Sequence, residues 1–228
     1  MNANPSKTEI DRLGIRLRES VSSDDLRLLD TYRLSFASAY EEVLQAIKAT
    51  TGIDASGRPA KSTTAIVDKL SRESIRLSQM QDIAGCRIVV VDIENQNALA
   101  DKLSAHYSEA VTSDRREKPS HGYRAIHIIV HPADRAVEIQ IRTQLQHLWA
   151  EHSEKLADKF GIAVKYGGGP ENIRQRLEAL SKNIWFVELL EANSVKSNSD
   201  AGRMILTKLK ADVQTALADL LKTAGVKP

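Results

Sequence analysis

Val137-Glu138-Ile139-Gln140-Ile141-Arg142-Thr143 alternates apolar and polar side chains along its length. In a β-strand successive side chains leave opposite faces, so Val137, Ile139 and Ile141 form an apolar face and Glu138, Gln140 and Arg142 share the other. An acid, an amide and a base on one strand face suit chemistry, while a two-sided polar edge strand is the plainer alternative. Upstream, His121-Gly122-Tyr123-Arg124-Ala125-Ile126-His127 opens a second strand, 123–131. There Ile126, Ile128 and Val130 alternate with Ala125, His127 and Ile129. His131-Pro132-Ala133-Asp134-Arg135 supplies turn chemistry between the two runs, and the pair reads as a β-hairpin.

Around this hairpin the pattern is mostly helical. Residues 8–20 and 24–50 have helical spacing; in the second segment Leu26, Leu29, Tyr32, Arg33, Phe36, Tyr40, Val43, Leu44 and Ile47 make a stripe that suits packing on a sheet. The breaker-rich stretch 51–59 reads as a loop, 63–76 as a helix, 85–91 as a buried strand and 95–107 as a helix. After the hairpin come helices over 144–160, 171–192 and 200–223, with a Gly-rich loop at 165–170 and a polar linker at 193–200. Helices, interleaved strands and helices again predict an α+β fold. The division is N-terminal helices 1–50, a core 51–166 and C-terminal helices 167–228, forming one globular domain.

The chain has 228 residues and a net charge of +2, too small to demand a nucleic-acid partner. Its start is polar and its apolar runs are short, predicting a soluble, cytoplasmic protein with no membrane partner. Cys86 is the single cysteine, which excludes an internal disulfide, and its apolar strand setting favours packing over reactivity. No phosphate-binding Gly-Lys-Ser/Thr loop, Gly-x-Gly-x-x-Gly, Gly-x-Ser-x-Gly elbow or paired cysteines occur. His127 and His131, four apart on a strand, stand about 13 Å from each other and cannot share a metal ion.

Two carboxylates are better placed. Asp82 precedes the strand at 85–91 and Glu138 lies on another, so a sheet can bring both to one cleft. Such a pair suits Mg²⁺, a hard cation that takes one or two carboxylates together with substrate phosphate oxygens. A cap at Asp82 and a salt bridge from Glu138 to Arg124 or Arg142 are the structural alternatives. Arg58, Lys61, Lys69, Arg72, Arg76 and Arg87, then Arg115, Arg116 and Lys118, surround these elements as a polyphosphate site requires, although charge runs are commonly solvated faces. Tyr123 offers a ring for a base to stack on, or packs half-buried.

Taken in order, Lys61, Asp82-Ile83-Ala84-Gly85-Cys86-Arg87-Ile88, Gly122-Tyr123-Arg124-Ala125-Ile126-His127, the strand 137–143 and Trp149-Ala150-Glu151 resemble the synthetase domain of the RelA/SpoT family over roughly residues 58–166. The resemblance implies a nucleotidyltransferase-like mixed sheet and Mg²⁺-dependent transfer of pyrophosphate from ATP to the ribose 3′-hydroxyl of GDP or GTP, giving AMP and a guanosine alarmone. It assigns Asp82 and Glu138 to Mg²⁺ and catalysis, with Glu138 helping to deprotonate the hydroxyl. Tyr123 would stack on the acceptor base and His127 lie near the acceptor. Lys61 and Lys69 would meet ATP phosphates, with Arg58, Arg87 and Gln140 completing the nucleotide site. Pro59 stands where the family usually has Arg, and 118–123 has one residue more than the usual Lys-Pro-x-Gly-Tyr.

The resemblance also implies a small single-domain synthetase lacking the family's hydrolase and regulatory domains. Met204, Ile205, Leu209, Val213, Leu217, Leu220 and Leu221 form an apolar stripe that suits core packing or a homo-oligomer through the C-terminal helices. Two other functions compete. One is a toxin of this fold that pyrophosphorylates the tRNA 3′ end, or an adenosine nucleotide, and is neutralised by an antitoxin. In that reading Arg115, Arg116, Lys118 and the Lys and Arg residues of the final helices hold the tRNA backbone. The other is a non-catalytic nucleotide-binding protein.

Overall fold

The structure, a computed structural model, describes residues 5–194 and 200–227. Five strands, β1 (Ser56–Arg58), β2 (Ala84–Val90), β3 (Val111–Asp114), β4 (Ile126–Val130) and β5 (Val137–Thr143), form one sheet in the spatial order β1-β2-β5-β4-β3. The α-helices are α1 (Lys7–Glu19), α2 (Ser23–Leu34), α3 (Ala37–Thr51), α4 (Thr63–Arg72), α5 (Ile93–His106), α6 (Gln144–Phe160), α7 (Glu171–Ser194) and α8 (Asp200–Thr223). The architecture is α+β, as the sequence pattern predicts. Most of the polar 193–200 linker, and residues 1–4, lie outside the described residues.

By internal contacts the chain forms two compact units. The first comprises Met1–Ile88, Lys102–Thr112 and Ile128–Gln140. In it α1 packs on α2 and α4. The predicted stripe buries Leu29, Tyr32, Phe36, Tyr40, Val43 and Ile47, while Arg33 and Leu44 are half-buried and Leu26 stays 40% exposed. The expected single helix over 24–50 is interrupted between α2 and α3. There the Ser35 hydroxyl donates to the Tyr32 carbonyl at 2.6 Å, a local bond that competes with the helical ladder. Likewise, the helix expected over 63–76 ends at Arg72, and a 3₁₀ turn, Leu77–Gln79, follows.

The loop expected over 51–59 contains a strand. β1 pairs antiparallel with β2, with Ser56 opposite Arg87, Gly57 opposite Cys86 and Arg58 opposite Gly85. The approach is close enough that a Cβ on Gly57 would lie 2.6 Å from Cys86 Cα, so only glycine fits. On its other side β2 meets β5, where a Cβ on Gly85 would stand 3.1 Å from the Glu138 carbonyl oxygen. Cys86 is buried, and that burial, with the Glu138 charge, pushes its thiol up to about 12, an inert side chain as predicted.

The second unit comprises Val89–Asp101, Ser113–His127 and Ile141–Pro228. Its core joins α6, α7 and α8 through Leu145, Trp149, Leu156, Leu177, Ile184 and Leu217, among others. Leu206, Val213, Leu217, Leu220 and Leu221 are the buried face of α8. The expected stripe is corrected at its start: Met204 and Ile205 are 75% and 60% exposed, because the buried face of the first turns runs through Leu206. The strand expected to begin at Tyr123 begins at Ile126. Tyr123 instead closes a tight turn, its N–H donating to the Ser120 carbonyl at 2.9 Å, with φ +52° at His121 and +90° at Gly122. Two successive positive φ values match a type I′ hairpin turn.

Candidate active site

The residues singled out in the sequence gather into two clusters, one in each unit. In the first, Asp82 lies in the turn before β2 and Lys69 on α4, while Lys61 is placed by its N–H donating to the Ile83 carbonyl at 2.7 Å. Lys61 Nζ donates to Asp82 Oδ2 at 2.6 Å and Lys69 Nζ to Oδ1 at 2.9 Å. All three side chains are largely covered, at 13–21% exposure. Burial alone would raise the Asp82 carboxyl. The two ammonium charges and their hydrogen bonds outweigh it and hold the group below its ordinary 3.8. Asp82 is therefore an anion between two cations.

Glu138 and Gln140 lie half-buried on the polar side of β5, and Gln140 Nε2 donates to Glu138 Oε2 at 2.6 Å. The alternation read from the sequence is realised, with Val137, Ile139 and Ile141 fully buried. Arg87 is half-buried on β2, and Arg58 is exposed on β1, opposite Gly85. Among the described residues no group of three or more His, Cys, Asp or Glu side chains converges as a metal cage. The carboxylates on offer, Asp82 just before β2 and Glu138 on the adjoining strand, suit instead a cation that shares its coordination with phosphate oxygens, as Mg²⁺ does. The donor set fits.

The second cluster is built on Tyr123. Its hydroxyl lies 2.9 Å from His127 Nε2, and the two rings meet edge to face with centroids 5.5 Å apart. Arg142, only 5% exposed at the end of β5, donates from Nη2 to the same hydroxyl at 3.0 Å, and its guanidinium lies 5.0 Å from the Tyr123 ring centroid. A desolvated cation over an aromatic face is worth about 2 kcal/mol or more. The ring is thus held by Arg142 over a face, by the perpendicular His127 ring and at its hydroxyl.

The turn that presents Tyr123 is fixed to α7. Ser181 donates its hydroxyl to the Gly122 carbonyl at 2.6 Å, and Arg124 Nε donates to the Ser181 hydroxyl oxygen at 3.0 Å. A Cβ at Gly122 would come within 2.7 Å of Trp149 Cζ2. The sequence reading marked Gly122 and Tyr123 but not the roles of Arg142 and Ser181. Arg142 was visible as the third polar residue of the β5 face, whereas a serine on a helix 57 residues from Arg124 carries no linear signal.

The basic run before the turn divides. Arg116, its side chain 11% exposed, is turned onto Asp114 at 2.5 Å and Asn97 at 2.7 Å. Its charge is paired with the Asp114 carboxylate. Lys118 is exposed. Among the described residues, no helix is long and apolar enough to cross a membrane.

Comparison with known proteins bears on these two clusters. Residues 57–160 match the family described as "Region found in RelA / SpoT proteins". An uncharacterized protein of Mycobacterium tuberculosis is 41% identical over 119 residues, covering 50% of this chain and 43% of that protein. The GTP pyrophosphokinase of Escherichia coli K12 is 28% identical over 167 residues, covering 69% of this chain and 22% of that enzyme. The chain thus spans less than half the length of these relatives. Among solved structures, the small alarmone synthetase 1 of Bacillus subtilis bound to its product pppGpp superposes with a TM-score of 0.63 at 24% identity, over 75% of this chain and 97% of that one. A GTP pyrophosphokinase family protein from Streptococcus pneumoniae gives 0.56 at 21% identity, over 82% and 98%. These two likenesses show a shared fold.

Proposed function

We propose, from the match of residues 57–160 to the family described as "Region found in RelA / SpoT proteins", that the chain is a member of that family and transfers the pyrophosphoryl group of ATP to the ribose 3′-hydroxyl of GDP or GTP, releasing AMP. The observation that carries the reading is Asp82 held between Lys61 and Lys69, next to the strand that bears Glu138. Phosphoryl-type transfer asks a protein chiefly to align the acceptor oxygen with the leaving group and to neutralise developing charge. Lys61 and Lys69 supply fixed positive charge for the donor phosphates, and Arg58 and Arg87 stand on the two strands beside them. Asp82 and Glu138 are the carboxylates that would hold Mg²⁺, which when bound would neutralise phosphate oxygens.

Glu138, with Gln140 donating to it, takes the proton of the 3′-hydroxyl as the new P–O bond forms and the bond to the α-phosphate oxygen breaks. Tyr123, steadied by His127 and Arg142, offers its ring to the acceptor base. Two relatives by sequence or fold agree in kind: one is called a GTP pyrophosphokinase, and the other was seen with pppGpp. The supply of ATP and guanosine nucleotides places such a reaction in the cytoplasm.

The test is to incubate the protein with Mg²⁺ and ATP labelled at the γ-phosphate, offering GDP, GTP, ATP or deacylated tRNA separately. Label on GDP or GTP is the expected result. Label on tRNA alone would make the protein a translation-blocking toxin, and label on no acceptor would leave a nucleotide-binding protein without this activity.

A further inference from the structure

A buried polar network in the second unit ends on both chain neighbours of Arg142. On one side Gln96, fully buried on α5, donates from Nε2 to the Ile141 carbonyl at 2.8 Å and to Gln146 Oε1 at 2.8 Å. On the other, the Thr143 hydroxyl donates to Glu188 Oε1, and Gln146 Nε2 donates to Glu188 Oε2 at 3.0 Å. Glu188 comes from α7 and is 2% exposed. Burial pushes its carboxyl above the ordinary range, against the hydrogen bonds of Thr143 and Gln146 and the charges of Arg124 and Arg116.

A carboxyl group in such a place is costly to bury, and a leucine or methionine would fill a helix seam without that cost. What Glu188 adds is a hold on the point where β5 becomes α6. Thr143 is the N-cap of α6 in a reciprocal box with Gln146, so its hydroxyl accepts from the Gln146 N–H while donating to Glu188. Arg142 lies between the two anchored residues, and Arg142 is the side chain that bonds and covers Tyr123. Arg116 extends the network towards the Tyr123 turn by donating to Gln96 Oε1 at 3.3 Å.

We infer that Glu188 is a positioning residue: through Thr143 and Gln146 it fixes the backbone that carries Arg142, and so sets the Tyr123 ring for a stacked acceptor base. The inference rests on the acceptor role proposed for Tyr123, and its test does not depend on turnover. The full chain is labelled with ¹³Cζ-tyrosine, the Tyr123 resonance is assigned by its loss in Tyr123→Phe, and Arg142→Ala gives the reference displacement.

Glu188→Ala is expected to move the Tyr123 resonance in the direction of Arg142→Ala. It is also expected to raise the acceptor KM about tenfold with the ATP KM unchanged, since small misplacements of a positioning group are costly. Glu188→Gln, which keeps an oxygen for the Thr143 hydroxyl, should recover most of both effects. Where Glu188→Ala does not fold, Glu188→Asp, which withdraws the carboxylate by one methylene, carries the same readout. An unmoved Tyr123 resonance in a folded variant overturns the inference even if the melting temperature drops. Absence of transfer to any acceptor by the unmutated protein overturns the proposed function and leaves the resonance test standing.

Discussion

Lys61 Nζ and Asp82 Oδ2 lie 2.6 Å apart across 21 residues of sequence, and the second Asp82 oxygen is taken by Lys69. One carboxylate therefore neutralises two ammonium groups that would otherwise repel each other. The arrangement ties α4 to the turn before β2, and it fixes the charges that the donor phosphates are proposed to meet.

This clamp makes stability depend on acid in a definite direction. The Asp82 carboxyl is held below its ordinary 3.8, so its contribution is fully present above that value and is lost as pH falls through the lower folded value. Asp82→Asn should cost about 1–3 kcal/mol near neutrality, where the hydrogen bonds are charge-assisted. The difference from the unmutated protein should shrink as the medium is taken from about pH 6 to about pH 3. Urea denaturation at a series of pH values measures this, and a pH-independent difference would remove the clamp as its source.

Glu138→Gln separates chemistry from folding. The amide oxygen of the variant still accepts from Gln140, so the strand keeps its register and the melting temperature should be unchanged. Loss of the base and of one metal-binding charge should lower transfer by at least ~10²-fold. Steady-state turnover with a labelled donor decides it, and near-normal turnover would exclude Glu138 from proton transfer.

The polar face of β5 and the apolar runs of β2 and β4 were legible because alternation, or continuous apolarity, is imposed by a buried sheet. β1 and β3 were not. β1 is three exposed residues around a glycine, and β3 is four exposed residues, Val111 to Asp114, so neither has a buried face to write a period into the sequence. The α2–α3 break was hidden because its apolar stripe continues across it: Tyr32, Phe36 and Tyr40 are all buried. Asp82, Glu138 and Tyr123 stood out by spacing and by family resemblance. Arg142 was marked without its partner, and Glu188 was invisible, because a buried carboxyl in a helical stripe looks like any other polar position until its neighbours are known.

Gly57 is required by approach rather than by φ. An alanine there would place its Cβ 2.6 Å from Cys86 Cα, backbone against backbone, with no flexible side chain to yield. Gly57→Ala should detach β1 from β2 and cost about 1–3 kcal/mol, the usual range for overpacking. It should also raise the ATP KM, because Arg58 is carried on that strand. Hydrogen exchange at residues 56–58 and 85–87 reads the detachment directly, and unchanged protection there would refute it.

Tyr123 and Arg142 should separate acceptor binding from donor binding. Tyr123→Phe keeps the ring and loses the hydroxyl that meets His127 and Arg142, leaving the buried Arg142 with one partner fewer. The expected result is a loss of about 1–3 kcal/mol in stability and only a several-fold rise in acceptor KM. Tyr123→Ala removes the stacking surface as well, and stacking of a base on an aromatic ring is worth about 1–3 kcal/mol. Its acceptor KM should therefore rise a further ~10-fold or more while the ATP KM holds. Initial rates measured over a grid of donor and acceptor concentrations give both constants. A parallel rise in the two would show that Tyr123 supports the fold around both nucleotides and does not receive the acceptor base.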